Sequence, residues 1–268
     1  MMRIALIITA AGSSTRFGAA DKLAQDVGGR SLLLRAIEPF TKRDEVTTTI
    51  VAGPPQDMDV FRDQYGAKLG FLGAQIIPGS TSSRWETVKA ALEHVPDDAT
   101  HVAVHDAARP IVDEDMLKRV FEAALSAPAV VPGIPIHDTL KRVGEEVVES
   151  AQRDATVDAI LGIGDDPDEE VGPAIPGRRV TETLKRDELM RVQTPQVFAA
   201  DVFRRAYQQE DMAGVTDDAM LVERMGEEVL VVEGSPRNIK VTRPEDLEMV
   251  RLLLGVKAPA GRAVHKRF

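Results

Sequence analysis

The stretch RIALIITAAGSSTRFGAADK, residues 3–22, decides the fold class of this chain. Its first half, Arg3 to Ala10, is a short apolar run rich in isoleucine, long enough for a buried strand and too short to cross a membrane. Its second half is a loop of small and hydroxyl-bearing residues followed by cations. A strand that leads into such a loop is typical of open α/β sheets, which bind ligands beyond the carboxyl ends of their strands.

The loop after this first strand is a candidate phosphate site. Its small residues let a flat base or sugar lie against the backbone, its serines and threonine offer N–H and hydroxyl donors to oxyanions, and its cations add positive charge. An ordinary strand-to-helix turn needs only the small residues, and the loop by itself leaves that alternative open. The candidate residues are Ala10, Ala11, Gly12, Ser13, Ser14, Thr15, Arg16 and Lys22.

Strand-like and helix-like segments alternate along the rest of the chain, which predicts an α/β fold with a mostly parallel sheet and right-handed crossovers. The helical segments show apolar residues at helical spacing, and the strand segments are short and rich in β-branched residues. The predicted helices are Leu32–Phe40, Asp59–Tyr65, Asp113–Leu125, Ala200–Gln209 and one beginning near Pro244. The further predicted strands are Val46–Ala52, Ala74–Pro78, His101–Val104, Ala129–Pro132, Val229–Glu233 and Asn238–Thr242.

Two polar stretches fall where this fold places its ligands. Ser80 to Ser83 precede an amphipathic helix, so hydroxyl and N–H groups gather at a helix N-terminus, either to hold an anion or sugar or simply to cap the helix. Asp106 follows a buried strand, and Arg109 is fixed by the proline after it. Asp106 can ligate Mg²⁺ or a ribose hydroxyl, or it can form an ion pair with Arg109 that shapes a turn.

Lys240 lies between two apolar residues in the last predicted strand, so its side chain points to one definite face and can reach into a site.

Composition limits the classes of partner. Lys and Arg number 33 against 43 Asp and Glu, giving a net charge of −10, and no basic run offsets it. This argues against nucleic acid as a partner, while a small anionic substrate can still meet a local cluster of cations. With no cysteine, disulfides and thiolate chemistry are excluded. No apolar run is long enough for a membrane span, and a soluble cytoplasmic protein without membrane contact is expected.

The interval 134–186 predicts a β-arm. Ile134–Val143 and Arg179–Leu184 are β-like and can pair as an extended hairpin. Between them, residues 150–177 are acidic, rich in Pro and Gly and poor in apolar residues, which predicts an inserted mobile loop with a solvated charge. We expect one domain, residues 1–268, that includes this arm.

Several strings, in order, resemble the 2-C-methyl-D-erythritol 4-phosphate cytidylyltransferases of the non-mevalonate isoprenoid pathway. They are AAGSSTR with Lys22, RWETV, VHDAARP, IHDTLKR, the interval from Arg186 to TPQVF, TDDA and NIKVTRPEDL, and they span nearly the whole chain. The resemblance implies a Rossmann-like nucleotidyltransferase of the glycosyltransferase-A type with a projecting β-arm. It also implies a homodimer formed through that arm, and the use of CTP, a divalent cation such as Mg²⁺ and a small sugar-alcohol phosphate.

The resemblance also implies roles for individual residues. Ala10 to Gly12 would contact cytosine, and Arg16, Lys22 and Lys240 would be catalytic cations. Asp106 would face the ribose and belong to the magnesium site. The further nucleotide contacts implied are Ser13, Ser14, Thr15, Gly79, Ser80, Thr87 and Ala107.

The acceptor phosphate site implied by the resemblance draws on residues from distant parts of the chain. Arg186 would reach into it from the other subunit of the dimer, and Arg109 would hold its neighbourhood in shape. The implied acceptor set is Asp106, Arg109, Thr139, Arg186, Thr194, Thr216 and Lys240.

The chain departs from the family pattern at three places in its loops and at the arm. Ser14 stands where the family usually has a second glycine, and Asp21, Lys22 and Leu23 replace a Pro-Lys-Gln triplet. The GSTSSR stretch is one residue longer than expected, and the acidic insertion in the arm has no explanation in the family pattern.

Two other functions stay open at the level of sequence. One is a ribitol-5-phosphate cytidylyltransferase with the same fold, although such relatives tend to carry valine at Ala108. The other is a non-catalytic nucleotide-binding regulator, against which the combination of Arg16, Lys22, Asp106 and Lys240 argues, because a sensor does not need a full set of charges around a leaving group.

Overall fold

The computed structural model describes residues 1–12, 17, 21–149 and 176–257. Strands and helices alternate, as predicted, from residue 4 to residue 135, after which four further strands follow without an intervening helix among the described residues. The strands are β1 (Ile4–Thr9), β2 (Val46–Gly53), β3 (Ala74–Pro78), β4 (His101–Asp106), β5 (Ala129–Pro135), β6 (Lys141–Glu149), β7 (Pro176–Thr183), β8 (Met190–Val192), β9 (Gln196–Ala199) and β10 (Leu230–Glu233). The α-helices are α1 (Leu32–Ile37), α2 (Met58–Phe71), α3 (Arg84–Leu92), α4 (Glu114–Ala124), α5 (Ala200–Ala206), α6 (Ala219–Arg224) and α7 (Pro244–Leu253).

The main sheet is mostly parallel, with the strand order β3-β2-β1-β4-β9-β5-β10 and β8 beside β5. The pairs β1–β2, β1–β4, β2–β3 and β5–β10 are parallel, whereas β9 runs antiparallel between β4 and β5. Because β1 and β4 are parallel neighbours, their carboxyl ends meet at one edge, where Thr9 lies opposite Asp106. This confirms the predicted fold class.

Side-chain alternation along β1 divides the core between the two faces of the sheet. Ile4, Leu6 and Ile8 pack with the apolar residues of α1, α2 and α4. Ala5 and Ile7 pack on the other face with α3, α5 and α6. All five side chains are buried, since a strand covered by helices on both faces has no solvated side. The first strand is therefore a rigid support for the loop that follows it.

Most of the predicted elements are confirmed, with shifted ends. The helix predicted over Asp59–Tyr65 extends to Phe71 because the same face continues with Leu69 in the core. The strand predicted at Asn238–Thr242 is wrong: the segment has no strand structure. It is held instead by bonds to other parts of the chain, among them the Val241 N–H donating to the Ala108 carbonyl at 2.8 Å.

The chain divides into two compact units, Met1–Ile134 with Val192–Phe268, and Pro135–Arg191. In the second unit β6 and β7 pair antiparallel, which confirms the predicted pairing for Lys141–Val143 with Val180–Thr183, whereas Ile134 and Pro135 belong to β5. The expectation of a single domain with an arm over 134–186 stays a prediction. Nearly all of the acidic insertion, residues 150–175, lies outside the described residues. Among the described helices, none has the length and apolar character needed to cross a membrane.

Candidate active site

A cleft of about 300 Å³ opens at the sheet edge where β1 and β4 end. Such a volume is at the lower end of the range for small-molecule sites. The cleft lies entirely within the first compact unit, and it brings together three separate stretches that the sequence had singled out. Its lining residues are Thr9, Ala10, Ala11, Gly12, Lys22, Leu23, Gln56, Ser80, Thr81, Ser82, Ser83, Arg84, Thr87, Asp106, Ala107, Ala108 and Lys240.

Asp106 is the last residue of β4 and its carboxylate contacts three cations. Oδ1 lies 3.3 Å from Arg84 Nε, and Oδ2 lies 3.3 Å from Arg109 Nε and 2.9 Å from Lys240 Nζ. Burial alone would raise the pKa of Asp106, but the charges of Arg84, Lys240 and Arg109 hold it well below its usual value. Asp106 is therefore a fixed, ionised carboxylate in the cleft.

The backbone of Asp106 is fixed from behind by Thr194. The Asp106 N–H donates to Thr194 Oγ1 at 3.1 Å, and the same hydroxyl lies 3.0 Å from Nδ1 of His105. His105 Nε2 lies 3.1 Å from the Arg109 carbonyl oxygen. Since a carbonyl only accepts, Nε2 carries the proton and Nδ1 accepts from the Thr194 hydroxyl, as a neutral imidazole allows. Thr194 is buried, and its hydroxyl accepts a hydrogen bond from the Asp106 N–H.

His105 gives the protein a pH-dependent stability. It is buried against the Phe40 ring and faces the Thr194 hydroxyl and the charges of Asp106 and Arg109. Burial lowers its pKa from 6.5 to about 4, so between these values the unfolded chain binds a proton that the folded chain does not. The stabilisation from neutral His105 is complete above pH 6.5 and is lost as the pH falls towards 4, by about 3 kcal/mol in total.

We expect this loss in denaturant titrations between pH 4 and 7, and we expect His105→Gln to show a correspondingly shallower pH dependence. Every other ionisable group is common to both proteins, so the difference between the two curves isolates His105. Identical slopes would contradict the prediction.

The serine-rich loop is tied to α3 by hydrogen bonds of Thr87. Ser80 N–H donates to Thr87 Oγ1 at 3.0 Å, and that hydroxyl lies 3.2 and 3.3 Å from the carbonyl oxygens of Ser80 and Ser83. Ser83 is the N-cap of α3, and its hydroxyl accepts from Glu86 N–H. Helix capping, the simpler of the two explanations from sequence, is therefore present. Ser80 and Thr87 nevertheless also line the cleft.

Gly79 packs too closely for any side chain. A Cβ at this position would lie 2.7 Å from Ala11 Cβ and 2.9 Å from Thr87 Cγ2, whereas a Cβ at Gly12 would meet nothing within 4 Å. We expect Gly79→Ala to lower the free energy of unfolding by about 1–3 kcal/mol and Gly12→Ala to change it by less than about 0.5 kcal/mol. Equal losses in denaturant titrations would contradict this assignment of the two glycines.

Lys240 reaches the cleft from a segment held by buried side chains. The Asn238 carbonyl oxygen accepts from Arg109 Nη1 at 2.9 Å and from Gln193 Nε2 at 3.3 Å. Asn238 Nδ2 donates to the Thr194 carbonyl at 2.8 Å. Val241 is fully buried while Lys240 is 42 % exposed. The opposite directions of these two side chains agree with the prediction for Lys240, although the backbone is not a strand.

Arg84 is a cation of the cleft to which the sequence analysis assigned no role. It is the first residue of α3, and its Nη1 lies 2.6 Å from Oδ2 of the buried Asp218. The Tyr207 hydroxyl donates to the other Asp218 oxygen. Burial alone would lower the pKa of Arg84, but the charges of Asp218 and Asp106 raise it well above its usual value. Arg84 therefore joins two buried carboxylates, one in the cleft and one behind it.

Other candidate residues lie elsewhere. Thr216 is exposed, three residues before α6, and does not belong to the lining of the cleft; its hydroxyl contacts Met220 Sδ at 3.9 Å. Thr139 and Arg186 belong to the second unit, where both are exposed and Arg186 Nη1 donates to the His137 carbonyl. Four loop candidates lie outside the described residues: Ser13, Ser14, Thr15 and Arg16.

The cleft is positive although the chain is acidic. Its lining includes three cations, Lys22, Arg84 and Lys240, against one carboxylate, Asp106, which leaves a formal charge of +2 for the described lining. The whole chain carries −10. Such a cleft, with small residues at one wall and hydroxyls at another, suits an anionic ligand that also carries a flat ring and a sugar.

Comparison with known proteins supplies the family. The family model described as IspD, 2-C-methyl-D-erythritol 4-phosphate cytidylyltransferase, matches residues 4–160 and 174–255. The chain belongs to this family. Its members are nucleotidyltransferases, and the expectation of an enzyme is confirmed. The interval between the two matched ranges falls inside the predicted acidic insertion.

Individual relatives agree along nearly the whole chain. The 2-C-methyl-D-erythritol 4-phosphate cytidylyltransferase of Frankia casuarinae is 36% identical over 263 residues, covering 97% of this chain and 85% of the relative. That of Solibacter usitatus is 32% identical over 267 residues, covering 96% and 98%.

Solved structures agree with the fold. The 4-diphosphocytidyl-2C-methyl-D-erythritol synthase of Anaerococcus prevotii superposes with a TM-score of 0.72 at 25% identity, over 95% of this chain and 99% of that chain. The 2-C-methyl-D-erythritol 4-phosphate cytidylyltransferase of Thermus thermophilus superposes with a TM-score of 0.67 at 29% identity, over 95% and 100%.

Proposed function

We propose that the protein transfers the cytidylyl group of CTP to 2-C-methyl-D-erythritol 4-phosphate and releases pyrophosphate. The observation that carries the proposal is the +2 charge of the described cleft lining in a chain of net charge −10. Membership in the IspD family supports the same reaction and does not favour the ribitol 5-phosphate alternative. A full set of cations around one carboxylate also suits a transferase better than a sensor.

In the proposed complex cytosine lies against Ala10, Ala11 and Gly12. Ala10 and Ala11 are buried and Gly12 is exposed, so this wall has a flat surface without side chains that project. The hydroxyls and N–H groups of residues 80–83 offer hydrogen bonds to the base edge or the ribose. Asp106, Ala107 and Thr87 complete the nucleoside side of the cleft, while Lys22 with Arg16 neutralises the triphosphate.

The chemical step needs positioning more than a base. An oxygen of the acceptor phosphate attacks the α-phosphorus of CTP, a new P–O bond forms, and the bond to the β-phosphate oxygen breaks so that pyrophosphate leaves with the electron pair. A phosphate monoester is mostly dianionic near neutrality and is already nucleophilic. The barrier lies in bringing two polyanions together in line. Lys22, Arg16 and Lys240 lower it by stabilising the charge of the transition state.

A divalent cation fits this site as a partner of the substrate. The described residues contain no group of three acidic or imidazole ligands, so an all-protein cage is not present in them. Mg²⁺ bound mainly by a triphosphate needs only one or two carboxylates, and Asp106 lines the cleft. Bound there, the ion would neutralise phosphate charge and help to orient the triphosphate. The residues that would hold it are Asp106 and the polar groups near it.

The acceptor site is proposed on the second half of the chain. Thr139, Arg186, Thr194 and Thr216 would surround 2-C-methyl-D-erythritol 4-phosphate, with Arg186 acting in the other subunit of a cytoplasmic homodimer. The hydroxyl of Thr194 is bonded to the backbone of Asp106, so in this proposal it fixes the border between the two substrates. If Arg186 acts across the dimer, activity falls on dilution below the dimer dissociation constant, and a fully active monomer contradicts it.

Pyrophosphate release tests the reaction. The purified chain is given CTP and Mg²⁺ with either 2-C-methyl-D-erythritol 4-phosphate or ribitol 5-phosphate, and the nucleotide product is identified by mass. Release with the first acceptor alone is the expected result. Release with ribitol 5-phosphate alone would mean that the proposed acceptor is wrong and the reaction type is right. A folded chain that binds CTP but releases no pyrophosphate with either acceptor would overturn the proposal.

A further inference from the structure

Asp21, the residue before Lys22, is held by a tyrosine from a distant part of the chain. The Tyr65 hydroxyl donates to Asp21 Oδ2 at 3.3 Å, across 44 residues of sequence. Tyr65 lies in α2, is 2 % exposed, and packs against the Phe61 ring at a centroid distance of 4.9 Å. The hydroxyl is thus presented to Asp21 from a helix that is anchored in the core.

The other oxygen of the same carboxylate fixes the turn at Lys22. Asp21 Oδ1 accepts from the Leu23 N–H at 2.9 Å, so the side chain of Asp21 spans the backbone of Lys22. The Asp21 carbonyl accepts from Gln25 Nε2 at 3.0 Å, and the Lys22 carbonyl accepts from the Gln25 N–H at 3.2 Å. Asp residues commonly bond to the backbone two residues further on in turns. Here that turn carries a lysine of the cleft.

We propose that Asp21 and Tyr65 are positioning residues that hold Lys22 in place to bind the nucleotide phosphates. The inference rests on the proposed function, because it assigns a purpose to the position of Lys22. A lysine is a point charge on a flexible four-carbon stem, so the place of its backbone decides which phosphate its ammonium group can reach. Two bonds from one carboxylate, one to the core and one across Lys22, remove freedom at that backbone. Small displacements of a positioning group can cost large factors in rate.

The protonation and exposure of the two groups agree with this role. Burial raises the pKa of Tyr65 well above its usual value, and the nearby Asp21 charge adds to the effect, so the hydroxyl keeps its proton and remains a donor. Asp21 is exposed and can be hydrated when the hydroxyl is removed. Removing the hydroxyl therefore leaves no buried, unpaired charge. The kinetic effect of displacing Lys22 can then be measured without a large loss of fold stability.

Tyr65→Phe removes the hydrogen bond between Tyr65 and Asp21 and so tests its role directly. We expect kcat/KM for CTP to fall about three- to tenfold, the range for losing one hydrogen bond, with KM for the acceptor unchanged and the melting temperature lowered by no more than a few degrees. Asp21→Ala loses both hydrogen bonds, so its kcat/KM for CTP should fall further. Asp21→Asn retains an acceptor for the Leu23 N–H and a polar group facing Tyr65, and should stay near the parent. Asp21→Asn as impaired as Asp21→Ala would overturn the proposal, since the charge would then be responsible.

The same substitution in a Lys22→Ala background separates positioning from a general structural effect. If Tyr65 acts through Lys22, Tyr65→Phe changes kcat/KM for CTP only when Lys22 is present. An undiminished effect in Lys22→Ala, or a fall in melting temperature without a kinetic change, would overturn the inference. Lys22→Ala alone tests the proposed function: we expect a loss of about 10²- to 10³-fold in turnover. Turnover near that of the parent in Lys22→Ala would reject the proposed phosphate contact of Lys22. A large loss in Lys22→Ala with no effect of Tyr65→Phe would reject only the positioning role of Tyr65 and Asp21.

Discussion

Lys240→Ala is expected to lower kcat about 10²- to 10³-fold while the chain remains folded, the cost of removing one preorganised stabilising group. The ammonium group of Lys240 lies 2.9 Å from Asp106 Oδ2 in the positive cleft, and the side chain is 42 % exposed. It can therefore contact a substrate phosphate without leaving the carboxylate. Loss of this cation leaves the reaction of two polyanions with less charge stabilisation, and the effect falls on the chemical step.

The fold should tolerate this change because Asp106 keeps two other cationic partners. Arg84 and Arg109 each lie 3.3 Å from its carboxylate. The measurement is steady-state pyrophosphate release together with thermal unfolding. Lys118→Ala is a matched control, because Lys118 is an exposed lysine of α4 whose ion pair with Glu122 is 3.9 Å long. A kcat near that of the parent in Lys240→Ala would mean that this lysine does not act in the chemical step. A large loss of stability would contradict the expectation that the variant remains folded.

The central sheet could be predicted because its strands are local apolar runs. β1 is buried on both faces, so its residues from Ile4 to Ile8 are all apolar. The strand predicted at Ala74–Pro78 has the ends observed in the structure. The position of Asp106 at the end of β4, beside the end of β1, follows from parallel pairing and needs no knowledge of side-chain contacts.

The segment that carries Lys240 could not be predicted in the same way. Its alternation of apolar and polar residues resembles a strand, but the Asn238 carbonyl and the Val241 N–H bond to distant residues, while the Asn238 and Ile239 N–H groups bond within a local turn. Asn238 and Arg109 are 129 residues apart. Periodicity reports which side chains are buried and not which backbone groups pair, so it gave the direction of Lys240 correctly and the secondary structure wrongly.

Arg84 was missed for a related reason. Arg84 stands at the start of a predicted helix, where a polar residue needs no special explanation, and Asp218 appears in the sequence analysis only within the string TDDA. Nothing local indicates that these two residues, 134 apart, form an ion pair in which Asp218 is buried. One signal was available: the string RWETV was among those that carry the family resemblance, yet only its threonine received a role.

Arg84→Met is expected to lower the free energy of unfolding by about 3–5 kcal/mol, the cost of leaving a buried carboxylate without its partner. The Asp218 side chain is 1 % exposed, and in this variant it would keep the Tyr207 hydroxyl but lose the guanidinium at 2.6 Å. Asp106 would also lose one of its cations. The measurement is equilibrium unfolding in denaturant at pH 7. A surface pair is the control: Arg205→Met breaks a contact of 2.9 Å to Glu227 at 53 % and 33 % exposure, and should cost no more than about 1 kcal/mol.

A second substitution separates the two roles of Arg84, its ion pair with Asp218 in the fold and its contact with Asp106 in the cleft. Replacing Asp218 by Asn in the Arg84→Met protein removes the unpaired charge, and since replacing both members of a buried pair is often nearly neutral, we expect at least about 2 kcal/mol of the lost stability to return. Activity should not return with it, because Asp106 still lacks the guanidinium at Oδ1. Recovery of both stability and turnover would mean that Arg84 supports only the fold. Recovery of neither would mean that Asp218 is not the source of the destabilisation, and the ion pair behind the cleft would lose its assigned role.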